Sequence, residues 1–118
     1  MKTVVLGASD NPERTSFTAV KRLLAHGDEV IAVGIREAEI HGVKIQTGKP
    51  EIKDVDTLTL YIGPRNQPEW YDYILKMKPK RIIFNPGTEN PEFEEMCRKN
   101  GIEVVVACTL VMLSVGNF

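Results

Sequence analysis

Short apolar runs recur along the chain, and the stretches between them carry apolar residues at helical spacing. The runs are residues 3–6, 29–33, 57–62, 81–84 and 102–107, and the first of them lacks polar alternation. Continuous apolar runs of this length are typical of strands that are covered on both faces. The pattern therefore predicts five strands of a buried parallel sheet.

The segments between these strands carry helix signals. Asp10 or Asn11 can serve as an N-cap with Pro12 at the first helical position, and the apolar positions 17, 20 and 24 follow at helical spacing. Two further helices are predicted, one that stops before Pro79 and one that begins after Asn90. A helix between consecutive strands of one sheet requires parallel strands and a right-handed crossover.

This alternation indicates one fold class. The chain is predicted to be an α/β protein with a three-layer, Rossmann-like architecture: a five-stranded parallel sheet of order 3-2-1-4-5 with helices on both faces. Residues 39–46 alternate only weakly around Gly42 and are interpreted as a small excursion. The apolar segment 108–118 is expected to pack on the core or on a second subunit. We expect residues 1–118 to form a single domain.

The composition excludes several classes of partner. Lys and Arg number 15 against 16 Asp and Glu, so no overall positive charge favours nucleic acid or an anionic membrane. With 42% hydrophobic and 26% charged residues, the chain should fold by itself. The short apolar run at the N-terminus is interrupted by Gly7 and does not have the form of a signal peptide. We therefore expect a cytoplasmic protein.

The cysteines and histidines of the chain do not form a metal-binding motif. The chain has two cysteines, Cys97 and Cys108, and two histidines, His26 and His41, at scattered positions without paired spacing. A structural zinc site needs closely spaced ligand pairs. The sequence therefore predicts no metal site.

The loop after the first strand has the parts of an anion site. A glycine at position 7 allows a sharp exit from the strand, and the free N–H groups at a helix start point toward a bound anion. Arg14, Thr15 and Ser16 add a bidentate donor and two hydroxyls. Helix capping alone explains Asn11 and Pro12, but it does not explain a cation at the positive end of a helix. We interpret this loop as a phosphate site.

The expected ribose side of this site differs from an NAD site. The fingerprint G-x-G-x-x-G is absent, because Ser9 and Pro12 stand where further glycines would follow Gly7. The second strand ends at Gly34-Ile35-Arg36, without the acidic residue that binds a ribose diol. Arg36 at this place suits a ribose that carries a 2′- or a 3′-phosphate. The alternative is that Arg36 is a solvated surface charge.

Several motifs occur together in this sequence: Gly7-Ala8-Ser9-x-Asn11-Pro12-x-Arg14-x-Ser16, Gly27-x-x-Val30-x-x-Val33, Asn85-Pro86-Gly87-x-x-Asn90, and Gly101-Ile102 with Cys108. In this combination the chain closely resembles the small stand-alone CoA-binding proteins, which are relatives of the CoA-binding domain of the succinyl-CoA synthetase alpha subunit. The resemblance extends over essentially the whole chain. The first motif is fairly specific to this family, whereas the later glycines alone would be weak evidence.

The resemblance implies a Rossmann-like domain that binds the adenine nucleotide part of coenzyme A, with the pyrophosphate on residues 7–16. The positions that match the family in this role are Gly7, Ser9, Asn11, Arg14 and Ser16, and the same loop contains Ala8, Pro12 and Thr15. The family usually has a Pro-Asn-Pro type stretch after the second strand, where this chain has residues 33–36. This departure leaves the adenosine contacts open. The expected cofactor is coenzyme A, with NADP as the alternative.

The loop that contains Asn85, Pro86 and Gly87 is the candidate for a second wall of the site. With the strand order 3-2-1-4-5, this loop would face the first loop across the point at which the order reverses. The other interpretation is a simple strand-to-helix turn, because Asn-Pro-Gly is good turn chemistry.

No catalytic residues are predicted. Neither a carboxylate pair nor a serine–histidine or cysteine–histidine pair has a recognisable local motif. The sequence therefore favours a non-catalytic module that binds coenzyme A or an acyl-CoA. The alternatives are an NADP-dependent or acyl-CoA-handling enzyme whose site is completed by Cys108 or by another subunit, and an interaction domain without a ligand. The apolar tail is compatible with a homodimer or a protein partner.

Overall fold

The computed structural model describes residues 1–118 as a sheet with helices on both faces. Two single 3-10 turns, Pro64–Asn66 and Pro68–Trp70, precede the second helix. No helix has the length and apolar character needed to cross a bilayer. In chain order the elements are β1 (Lys2–Leu6), α1 (Thr15–His26), β2 (Glu29–Val33), β3 (Ala38–Ile40), β4 (Val43–Gln46), β5 (Thr57–Leu60), α2 (Tyr71–Met77), β6 (Arg81–Phe84), α3 (Pro91–Lys99), β7 (Glu103–Val106) and α4 (Thr109–Val115).

The sheet has seven strands in the order β3-β4-β2-β1-β5-β6-β7. β3 is antiparallel to β4, and all other neighbouring strands are parallel. The prediction of an α/β, Rossmann-like fold with helices on both faces is therefore confirmed. The predicted count of five strands and their order are wrong, because residues 38–46 add two strands.

The added strands explain the change of order. β4 pairs with β2 and takes the place beside it that the sequence pattern assigns to residues 57–62. The strand of those residues, β5, pairs with the other side of β1. With β4 counted as the third parallel strand, the six parallel strands run 3-2-1-4-5-6. This is the order of the doubly wound dinucleotide-binding fold, and its reversal lies between β1 and β5.

The two faces of the sheet carry separate apolar clusters. α2 and α3 cover one face, where 14 buried residues that include Ile74 and Cys97 form the larger cluster. α1 covers the other face, where seven buried residues that include Val20 and Leu23 form the smaller one. The predicted packing of the apolar tail on the core is present, since α4 contacts α1 and Phe118 packs against the smaller cluster. Side chains alternate between the faces along each strand, so a central strand supplies both clusters.

α1 begins later than the sequence pattern predicts, at Thr15 and not at Pro12. The Asn11 carbonyl accepts a hydrogen bond from the Arg14 N–H (3.0 Å), and Asn11 Oδ1 accepts one from the Glu13 N–H (3.0 Å). Asn11 thus stabilises a turn ahead of the helix instead of capping it, as Asn side chains commonly do.

Candidate functional site

A cavity of about 750 Å³ lies beyond the carboxyl ends of β1, β2 and β5, at the reversal of the strand order. Its volume is in the range of small-molecule sites, and open α/β sheets bind their ligands at this place. The lining comes from the β1–α1 loop, from the segments after β2 and β5, and from one residue of β4. The lining residues are Gly7, Ala8, Ser9, Asp10, Asn11, Arg14, Thr15, Ser16, Gly34, Ile35, Arg36, Ile45, Tyr61, Ile62, Gly63, Asn66, Glu69 and Trp70.

The start of α1 brings unpaired backbone donors to this cavity. The N–H groups of Thr15 and Ser16 have no acceptor in the protein, and neither do those of Ser9 and Asp10 in the loop before them. Arg14 occupies the N-cap position without a capping side-chain hydrogen bond, and no acidic residue lies in the first turn. Free N–H groups at the positive end of a helix dipole are the combination that binds a phosphate.

Three side chains in the same turn are available to a ligand. The Arg14 side chain is exposed, and its guanidinium forms no hydrogen bond or ion pair with the protein. Ser16 is only 3% exposed, and its hydroxyl forms no hydrogen bond although the residue lines the cavity. Thr15 is exposed at the first helical position. The predicted grouping of these three residues at one cavity is present.

The other predicted loop residues shape the turn. Ser9 Oγ accepts a hydrogen bond from the Asn11 N–H at 3.1 Å, so both side chains of this pair are engaged in the loop itself. Pro12 lies in the exposed turn and is not part of the lining. The structure therefore gives Ser9 and Asn11 a structural role at the cavity and leaves Pro12 outside it.

A backbone contact holds the β1–α1 loop against the end of β2. The N–H groups of Gly7 and Ala8 both donate to the Val33 carbonyl, at 2.9 and 3.0 Å. A Cβ atom added to Gly34 would lie 2.5 Å from the Ala8 carbonyl oxygen. The two backbone segments thus approach so closely that only glycine fits at Gly34. The amides of Gly7 and Ala8 are consequently not available to a ligand.

Arg36 lies at the cavity and already has a partner. Its Nη2 donates to Asp10 Oδ1 at 2.8 Å, which joins the segment after β2 to the β1–α1 loop. Ile35 beside it is 94% exposed, although it is a large apolar residue. The Arg36 side chain is 75% exposed, so the structure keeps it a largely solvated charge, paired with a carboxylate at the edge of the cavity.

The wall after β5 contains lining residues that the sequence does not single out for the site, namely Tyr61, Ile62 and Trp70. Tyr61, Ile62 and Gly63 follow the strand directly, and Trp70 lies at the end of the second 3-10 turn with 7% exposure. The Nζ atom of Lys49, which is not part of the lining, lies 5.2 Å from the Trp70 ring centroid. The sequence pattern indicates the loop of residues 63–67 as one that could close over an adenine, but the predicted strand order, which is wrong, places this loop on the far side of β2.

Tyr61 is the one tyrosine that lines the cavity. Burial raises the pKa of its hydroxyl, and the nearby Thr59 and Thr109 hydroxyls partly oppose this effect. The raised pKa keeps the phenol protonated at neutral pH. Tyr61 therefore contributes a neutral surface and no base.

The predicted second wall, formed by Asn85, Pro86 and Gly87, does not reach the cavity. This loop follows β6, which is one strand away from the reversal of the order. The Asn85 side chain is buried, donates to Thr59 Oγ1 (2.7 Å) and accepts a hydrogen bond from the Thr109 N–H (2.9 Å). Asn85 thus ties β6 to β5 and α4, whereas Pro86 and Gly87 are exposed turn residues. The turn interpretation matches this geometry.

A buried glutamine connects the two loops indirectly. Gln67 is fully buried, and its Nε2 donates to the carbonyls of Ile62 (2.8 Å) and Thr88 (2.7 Å). Its Oε1 accepts a hydrogen bond from Asn90 Nδ2 at 2.9 Å. The loop after β6 therefore supports the cavity wall at Ile62 from behind without contacting the cavity.

Comparisons with known proteins agree with this arrangement. A family model described as a CoA binding domain matches residues 1–114. No curated protein matches the chain. The resemblance that the motifs indicate is confirmed by the family match.

Solved structures share the fold over nearly the whole chain. One, described as an uncharacterized protein, is 54% identical, with a TM-score of 0.97 and coverage of 99% of this chain and 97% of its own. A protein from Thermus thermophilus is 26% identical, with a TM-score of 0.87 and coverage of 99% and 90%. Prb, described as the PH1109 protein redesigned for binding, is 25% identical, with a TM-score of 0.86 and coverage of 98% and 82%. The chain belongs to the family of CoA binding domains.

Proposed function

We propose that the chain binds coenzyme A or an acyl-CoA in the cavity between the ends of β2, β1 and β5, as a non-catalytic binding or regulatory module. The diphosphate rests against the unpaired N–H groups at the start of α1, beside the guanidinium of Arg14. The observation that carries the proposal is this group of donors without acceptors, open to a cavity at the switch point of the sheet.

The fold gives the ligand a direction. In doubly wound folds the nucleoside lies beyond the end of the second strand. This assigns the adenosine to the segment of Gly34 to Arg36 and the pantetheine arm to the wall after β5. That wall offers Ile62, Gly63 and Trp70, which suit an uncharged, partly apolar arm.

The ionisable groups of the lining favour binding over catalysis. Asp10 and Arg36 are paired with each other, and Tyr61 stays protonated. Glu69 is the one carboxylate of the lining without an ion pair, and neither cysteine nor histidine lies there. General acid–base catalysis needs a positioned group that titrates near the working pH. The cavity thus has the donors of a binding site without an evident pair for proton transfer.

Calorimetric titration with coenzyme A, dephospho-CoA, NADP and ATP tests the proposal. We expect coenzyme A to bind, and Arg14→Ala to weaken this binding by about 1.5–3 kcal/mol, the usual contribution of a charged hydrogen bond. Lys21→Ala is the matched control, because Lys21 is an exposed cation of the same helix outside the lining. Preference for NADP, or an unchanged affinity in Arg14→Ala, would contradict the assignment.

The same proposal covers location and assembly. A single domain over residues 1–118 in the cytoplasm is consistent with two cysteines that are both free thiols. A homodimer or protein partner stays a prediction, for which the exposed Val111 and Val115 of α4 are the motivation. Light scattering of the purified protein at several concentrations would test it.

A further inference from the structure

Two opposite charges meet at one end of the cavity, which we call the ribose corner and define as Asp10 together with Gly34, Ile35 and Arg36. Arg36 Nη2 lies 2.8 Å from Asp10 Oδ1, and both residues line the cavity. The two side chains are 75% and 40% exposed, so a ligand can reach both. The charges cancel each other before any ligand arrives.

The backbone keeps this pair together. Asp10 follows Ala8 by two residues and Arg36 follows Gly34 by two residues, and Ala8 and Gly34 are the residues in close backbone contact. The β1–α1 loop is also bound to the end of β2 through the Val33 carbonyl. Neither loop can move away from the other without losing these contacts, so Asp10 and Arg36 stay close enough for their side chains to pair.

The two groups have opposite preferences for the substituents of a ribose. A guanidinium binds a phosphate through two parallel hydrogen bonds. A carboxylate accepts hydrogen bonds from ribose hydroxyls, as the acidic residue does at the end of the second strand in ordinary dinucleotide sites. The same carboxylate repels a phosphate that comes within a few ångströms. A ribose phosphate at Arg36 must therefore compete with Asp10 for the guanidinium.

We infer that Asp10 is a specificity-determining residue that lowers the preference of the cavity for a phosphorylated ribose. This inference rests on the proposed binding of coenzyme A, whose ribose carries a 3′-phosphate that dephospho-CoA lacks. The wild-type protein then distinguishes the two ligands only weakly. Neutralising Asp10 releases Arg36 for the phosphate and removes the repulsion at the same time.

The test compares dissociation constants of coenzyme A and dephospho-CoA for the wild-type protein, Asp10→Asn and Glu13→Gln. In Asp10→Asn we expect coenzyme A to bind about tenfold more tightly and dephospho-CoA to change by less than about threefold, from the usual size of charge-assisted contacts. Glu13→Gln removes the same charge from an exposed residue of the same loop outside the lining. We expect it to change both affinities by the same factor.

The double variant Asp10→Asn with Arg36→Gln should lose the gain for coenzyme A, because the phosphate then has no guanidinium to bind. Equal effects of Asp10→Asn on both ligands, or the same gain in Glu13→Gln, would overturn the role of Asp10 and leave the proposed function intact. Absence of binding of either ligand to the folded wild-type protein would instead overturn the proposed function, and the role of Asp10 with it.

Discussion

Gly34 lies where the ends of β1 and β2 are in backbone contact. No larger residue fits at this position, because the neighbouring atoms leave no room for a Cβ atom. A Cβ atom at this position would be 2.5 Å from the Ala8 carbonyl oxygen and 2.9 Å from Ile45 Cγ2. A backbone oxygen cannot turn aside as a side chain can, so the whole loop would have to move. Ser9 and Asp10, whose free N–H groups face the ligand in our proposal, follow Ala8 directly. The absence of a side chain at Gly34 therefore matters both for the stability of the fold and for the position of the proposed phosphate donors.

We expect Gly34→Ala to lower the free energy of unfolding by about 1–3 kcal/mol, as overpacking usually does, and to weaken coenzyme A binding. Urea unfolding and calorimetry measure the two effects. Gly63→Ala is the control for stability, because no atom lies within 4 Å of its added Cβ and its φ of −62° suits alanine. A Gly34→Ala protein as stable as the wild type would contradict the close contact.

At the scale of elements, the sequence predicts the loops and helices that depend on neighbouring residues. It does not predict which strands pair with each other in the sheet. The β1–α1 loop is found because its glycine, turn residues and Arg14 are contiguous. The hairpin of β3 and β4 is missed because its strands are three and four residues long, with Ile40 and Ile45 as their buried residues. Without β4, the position of β5 beside β1 cannot be derived. The same error assigns Asn85 to the cavity and overlooks Tyr61.

The first turn of α1 differs from the first turn of α3 in the side chains that stabilise it. α3 has Asn90 as a cap, Pro91 at its start and two glutamates in its first turn, whereas α1 has no side-chain cap and no acidic residue there. Acidic residues in the first turn stabilise a helix by interaction with its dipole. The first turn of α1 lacks this stabilisation, so the positive end of its dipole has no compensating side-chain charge, as the proposed anion site requires.

We therefore expect Thr15→Asp to have opposite effects on stability and on binding. The new carboxylate at the start of α1 should raise the free energy of unfolding by about 0.3–1 kcal/mol and weaken coenzyme A binding at least about tenfold through repulsion. Ala25→Asp is the control, since it adds the same charge at an exposed position near the other end of the helix. It should reduce stability and leave the affinity unchanged. Equal affinities of Thr15→Asp and wild type would argue against an anion at α1.

For the whole molecule, the two faces of the sheet carry apolar clusters of unequal size, and the proposed site lies beside the smaller one. The proposed phosphate donors belong to the first turn of α1 and to the loop before it, and α1 covers the smaller cluster of seven buried residues. The cluster of 14 buried residues lies on the opposite face under α2 and α3. Stability should therefore respond mainly to groups in this larger cluster. Among the ionisable ones, Cys97 is fully buried there, and burial raises the pKa of its thiol to about 12.

The raised pKa of Cys97 predicts a loss of stability in alkali. The folded protein holds the thiol proton up to about pH 12, whereas the unfolded chain releases it near the ordinary value of 9.0. The stabilisation is therefore complete below pH 9.0 and is lost as the pH rises toward 12. Between pH 8.5 and 10 we expect the free energy of unfolding to fall by roughly 1 kcal/mol. Cys97→Ala should be less stable at neutral pH and show a flatter dependence over this range, because the titrating group is gone while the partly buried Tyr61 and Tyr73 remain. Identical slopes in urea unfolding of the two proteins would mean that the thiol is accessible to water in the folded state.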